Sequence, residues 1–115
     1  MSQENLADLK HQFRRAMLAA QKIFGKDAFR KRYNKEQPRY AINKALFESW
    51  AVTLSQLSDD QIQALQSQRE QLISKFIALM NTTEFNHAVS LGTGHPRQVK
   101  TRFASIKQII QETLS

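Results

Sequence analysis

A chain of 115 residues with 41% hydrophobic content, three Gly and two Pro is expected to fold as one domain, 1–115, of long elements, because disorder needs lower hydrophobicity and turn-rich β folds need more breakers. Without a single Cys, the sequence excludes a disulfide-stapled scaffold and a thiolate metal site. Seventeen Lys and Arg against ten Asp and Glu leave a formal charge of +7, which points to a polyanionic or acidic partner.

In chain order, Ser2 is an acceptable N-cap for a first helix that carries Leu6, Leu9, Phe13, Met17, Ala20 and Phe24 along one face. Gly25 falls where a left-handed residue closes a helix. From Gly25 to Arg39 neither helical nor strand periodicity is sustained, and Pro38 biases Gln37 away from helix, so a loop is expected. A second helix from about Ala41 places Ile42, Leu46, Trp50, Leu54 and Leu57 on one stripe, widened by Phe47 and Ala51.

Ser58 and Gln61 form a capping box that opens a third helix, carrying Ile62, Leu65, Leu72, Ile73, Phe76, Leu79 and Met80 with a polar interval from Gln66 to Gln71. Asn81 with Glu84 offers a second box for a short helix presenting Phe85, Ala88 and Val89 before Gly92. Pro96 suits a first helical position, and Val99, Phe103, Ile106, Ile110 and Leu114 make the last stripe. The expected fold class is all-α, a bundle of four main helices and one short one. The N-terminal sequence has no basic region followed by an unbroken apolar run, and no stretch approaches the roughly 20 apolar residues that span a bilayer. A cytoplasmic protein with no membrane contact is expected.

The strongest functional signal is the segment from Lys22 to Lys44, which holds eight cations against two anions. Lys26, Arg30, Lys31, Arg32, Lys35 and Arg39 are interleaved there with Phe29, Tyr33 and Tyr40. Cations neutralise phosphates while rings stack on bases or brace the loop, so Lys26, Arg30, Lys31, Arg32, Tyr33, Lys35, Arg39 and Tyr40 are the candidate contacts for DNA or for an acidic protein surface. The bland alternative is a solvated loop whose rings fill the core. An exposed strap is the expectation.

A second candidate is an anion site at Thr93, Gly94, Arg97 and Lys100, where a glycine-bearing turn precedes a basic helix start. It is not a Walker loop, Pro96 removes one donor, and on those grounds an ordinary interhelical turn is the favoured reading. Glu84 and His87 stand at the i, i+3 spacing of carboxylate-bridged metal bundles, but such sites need two of these pairs and two further carboxylates. Ser90, His95 and the acids form no recognisable nucleophilic set. No metal, no cofactor and no catalysis within this chain are expected.

Three phrases in order, FGKDAFR at Phe24–Arg30, INKALFESW at Ile42–Trp50 and EFNHAVSLGTGHPRQVKTRFASI at Glu84–Ile106, resemble the C-terminal helical region of the prokaryotic family that includes the GmrS half of GmrSD-type, modification-dependent restriction enzymes. The resemblance covers about 80 residues. It implies a helical region that follows a ParB-like domain whose nucleotide-binding and catalytic signature, D-G-Q-Q-R, does not occur in this sequence; no HNH-type nuclease motif occurs either. Arg102 and Phe103 belong to the matching pattern and receive no role from it. What the resemblance implies is a non-catalytic helical module of a restriction or phage-defence system, contacting DNA or positioning a ParB-like nuclease-type partner through the basic aromatic loop. The alternative is a protein-interaction domain that recognises an acidic surface.

Overall fold

The chain is all-α in a computed structural model that describes residues 3–34 and 40–115, with side chains described from residue 7 onward within the first helix. The helices are α1 (Gln3–Phe24), α2 (Lys44–Ser55), α3 (Asp59–Ser67), α4 (Arg69–Met80), α5 (Thr83–Ser90) and α6 (Pro96–Leu114), with a 3-10 turn at Gly25–Asp27. The expected Ser2 cap lies outside the described residues. Among the described residues the only extended pairing is an isolated antiparallel bridge between Arg30 and Ile42.

Aromatic rings centre the core. Trp50 of α2 meets Phe24 of α1 edge-on at 4.9 Å and Phe76 of α4 at 5.6 Å, and Phe76 reaches Phe85 of α5 at 6.4 Å. These are the tilted geometries that ring quadrupoles favour. Leu46, Leu54, Leu65, Leu72, Met80, Ile106 and Ile110 close around them, all fully buried. The helices whose apolar stripes converge on Trp50 thus share one interior.

Local signals set several boundaries. Gly25 and Gly92 take positive φ of 61° and 54°, the left-handed conformation a glycine adopts without a Cβ clash. Ser58 accepts from the Gln61 backbone N–H at 3.2 Å while the Gln61 side chain accepts from the Ser58 N–H at 2.9 Å, completing the box that opens α3. Pro96 occupies the first turn of α6.

Four expectations need correction. The second helix begins at Lys44, because the Asn43 side chain accepts from the Leu46 N–H at 2.9 Å and caps it, while the Asn43 N–H is drawn to the Phe29 carbonyl at 2.8 Å. The single third helix is two, α3 and α4, broken at Gln68, whose φ and ψ of −111° and 28° leave the helical region; the polar interval marks this joint. The short helix α5 is capped by Thr82, which accepts from the Phe85 N–H at 3.4 Å. Asn81 instead ends α4, its Nδ2 donating to the carbonyls of Ile77 and Tyr33. Finally, the buried stripe of α6 is Arg102, Ile106, Ile109, Ile110 and Thr113, so the helix is rotated from the expected face and leaves Val99 and Phe103 only partly covered.

Candidate docking groove and basic strap

The strap begins where the 3-10 turn at Gly25–Asp27 hands the chain to Phe29, a non-glycine residue at φ 64°. That conformation costs an L-residue about 1–2 kcal/mol and is held from both sides. The Phe29 ring packs edge-on against Phe47 at 4.9 Å, and its carbonyl takes the Asn43 N–H. Phe29→Ala keeps the backbone penalty and loses the ring, whereas Phe29→Gly loses the ring and relieves the penalty. Phe29→Gly is therefore expected to be more stable than Phe29→Ala by about 1 kcal/mol in urea denaturation, the reverse of the ordinary Gly–Ala order. The ordinary order would show that the left-handed backbone stores nothing here.

Beyond Phe29, Arg30 and Arg32 bind the strap to itself and Lys31 fastens it to α5. Arg30 donates from Nε to the Lys26 carbonyl at 2.9 Å and from Nη1 to the Tyr40 carbonyl at 2.6 Å, tying the strap's two arms together. Lys31 Nζ donates to Ser90 Oγ on α5 at 2.6 Å, and Arg32 lies 3.7 Å from the Asp27 carboxylate. Tyr33 is half-buried: its carbonyl accepts from Asn81, its hydroxyl accepts from Asn86 at 2.7 Å, and its ring meets Tyr40 at 5.7 Å. Lys26 and Tyr40 are exposed. Lys35 and Arg39 fall outside the described residues. The expected outward-facing ring set is thus divided, with Phe29 and Tyr33 packed on the core and Tyr40 at the surface.

The turn before α6 is partly self-satisfied. His95 Nδ1 accepts the Arg97 backbone N–H at 3.1 Å, taking one of the donors an anion would need, and the Thr93 carbonyl is occupied by Arg102. Gly94, Arg97 and Lys100 are exposed around it. Glu84 and His87 are also exposed, and no three of His, Asp and Glu gather to hold a metal ion among the described residues. No described helix is long and apolar enough to cross a membrane.

Two features escape sequence reasoning. The first is Arg102, only 3% exposed, which donates from Nη1 to the carbonyls of Thr93 and Ala88 at 2.6 and 3.3 Å and from Nη2 to Glu48 at 3.3 Å. One guanidinium so joins α5, the turn after it, and α2.

The second is an open groove of about 680 Å³ between the middle of α1, from Leu9 to Met17, and the outer face of α2. Its walls are Leu9, Phe13, Met17, Phe47, Ala51 and Val52. Leu9 and Phe13 are 48% and 50% exposed although they continue the apolar stripe that Ala16, Ala20, Ile23 and Phe24 bury further along α1. Lys10 and Arg14 line the α1 side, and Glu48 lines the α2 side with its carboxylate turned to Arg102.

Comparison of the chain with family models, with curated proteins and with solved structures finds no match.

Proposed function

We propose that this chain is a non-catalytic docking module that positions a partner protein. The observation that carries this reading is the α1–α2 groove, because a helical stripe that is core at one end and half-exposed at the other leaves apolar area for a partner to cover. On this reading the strap is a brace: its cations and rings hold residues 26–34 to α2, α4 and α5 and thereby fix the edge of the face beside the groove. The resemblance to the helical region of GmrSD-type proteins favours a ParB-like, nuclease-type domain as the protein positioned, within a restriction or phage-defence system.

The test is a photo-crosslinking residue at position 13 in the full chain expressed in its host, compared with the same residue at position 8, which lies about 140° around α1 from Phe13. A discrete protein adduct from position 13 and none from position 8 is expected. Equal labelling from both positions, or none from position 13, overturns the reading.

A second reading, phosphate contact by the strap, is favoured by the partners of Arg30 and Lys31. Both donate to neutral oxygens and so keep their full charge near exposed Lys26. Its mark is duplex DNA binding that weakens steeply with salt and is lost in Lys26→Glu with Lys35→Glu. Binding indifferent to both removes it.

A further inference from the structure

The docking reading leaves open what enters the groove; resting on that reading, we infer that the occupant is an amphipathic helix of a partner protein, apolar along one stripe and acidic on its flanks. Shape gives the first half of this. The groove runs from Leu9 to Met17 on α1 and from Phe47 to Ser55 on α2, about 12 Å along each at 1.5 Å per residue. Anchors at i, i+4 and i+7 of an incoming helix span about 10.5 Å, which fits. A furrow between two helices receives the ridge of a third, and the described residues offer no strand edge on which an extended peptide could pair.

Charge gives the second half. Lys10 and Arg14 flank Phe13 on the exposed side of α1, and both are exposed. Lys10 and Arg14 outnumber Glu48, the acid among the lining residues, whose carboxylate also lies 3.3 Å from the buried Arg102, which leaves the rim net positive. Asp8 lies around the far side of α1. Carboxylates beside the incoming apolar stripe meet Lys10 and Arg14 at short range, and the whole +7 chain draws such a helix in. The same charges disfavour a second copy, since a two-fold pairing through this groove would bring Lys10 and Arg14 of each copy toward their own equivalents. The concave section between α1 and α2 fits a rod better than a flat lipid surface.

The experiment uses the full chain and two labelled helical peptides with leucines at i, i+4, i+7 and i+11, one flanked by Glu and one by Lys, read by fluorescence anisotropy. The Glu-flanked peptide is expected to bind at least about tenfold more tightly, and its affinity to fall with added salt. Phe13→Glu, or Val52→Glu as an independent variant, is expected to lower that affinity by about tenfold or more, with unchanged helical circular dichroism because both side chains are about half exposed. Lys10→Glu with Arg14→Glu is expected to reverse the preference between the peptides. Equal affinity for both peptides overturns the acidic occupant and leaves docking standing. Failure of both peptides, together with no adduct from position 13, overturns docking itself. A dimer in sedimentation that Phe13→Glu abolishes, or binding to phosphatidylserine vesicles with neither peptide bound, overturns the inference in favour of a second copy or a lipid surface.

Discussion

Arg102→Ala is expected to lower the unfolding free energy by about 3 kcal/mol, although an arginine on an amphipathic helix would ordinarily cost little to remove. The side chain is 3% exposed and bonds three groups that belong to different segments: the Ala88 and Thr93 carbonyls and the Glu48 carboxylate. Truncation strands the carbonyls, at about 1–3 kcal/mol for each that stays dry, and opens a cavity between α2, α5 and α6. Glu48 contributes less because its side chain is 54% exposed and water screens the pair. Glu48→Gln is accordingly expected to cost under about 1 kcal/mol, since an amide oxygen still accepts from the guanidinium. Lys at position 102 retains the charge but not the fork, so Arg102→Lys is expected to recover less than half of the loss. Urea denaturation followed by the fluorescence of the single Trp reads all three. Full rescue by Lys, or a Glu48→Gln loss as large as that of Arg102→Ala, would show that the ion pair and not the carbonyl bridge carries the stability.

Trp50→Ala is expected to cost about 4 kcal/mol, the range for deleting a fully buried large aromatic whose neighbours relax only in part. Trp50 is 1% exposed and touches Phe24 and Phe76 edge-on, so its removal empties the point where α1, α2 and α4 converge. Against a typical total of about 5–15 kcal/mol that leaves a marginal fold. Trp50→Phe keeps an aromatic edge and is expected to cost about 1–2 kcal/mol. Thermal melts followed by helical circular dichroism measure both without relying on the lost fluorophore. A loss below about 1 kcal/mol in Trp50→Ala would mean that the bundle closes by itself and that Trp50 is not its centre.

The stripes on the second and third predicted helices were legible because their apolar residues recur at helical spacing and meet partners. Leu46, Trp50, Leu54, Ile62, Leu65, Leu72, Ile73, Phe76 and Met80 are all buried, whereas Ile42, expected on the second stripe, lies ahead of α2 and is 58% exposed. The break at Gln68 was visible only as an unexplained polar interval, since propensity alone does not say whether such a stretch is an exposed turn of helix or a joint. The expected Asn81 cap of α5 gives way to Thr82 for a related reason, since Asn81 donates instead to the Tyr33 carbonyl. Tertiary bonds also fix the start of α2, where Asn43 Nδ2 reaches the Val89 carbonyl at 3.0 Å.

The groove was hidden in a stripe that looked like core. A first helix of 22 residues runs about 33 Å, whereas α2 has 12 residues and runs about 18 Å. Length alone does not uncover Leu9 and Phe13, which lie alongside α2 with the Phe13 ring 6.2 Å from Phe47; they stay half-exposed because no described element covers the furrow the two helices form there. Arg102 gave no signal, because a long cationic side chain at that register reads as surface until a carbonyl-rich turn is folded over it.

What the amino-acid order determined by itself is the all-α class, most of the aromatic and aliphatic interior, the glycine ends and the basic segment, since periodicity, left-handed backbone and charge are local properties. Only the tertiary structure decided which half of the first stripe stays uncovered, that Arg102 turns inward, and that the strap's cations reach backbone carbonyls and Ser90. Those outcomes depend on how the helices are placed and rotated relative to one another, which no window along a single chain encodes.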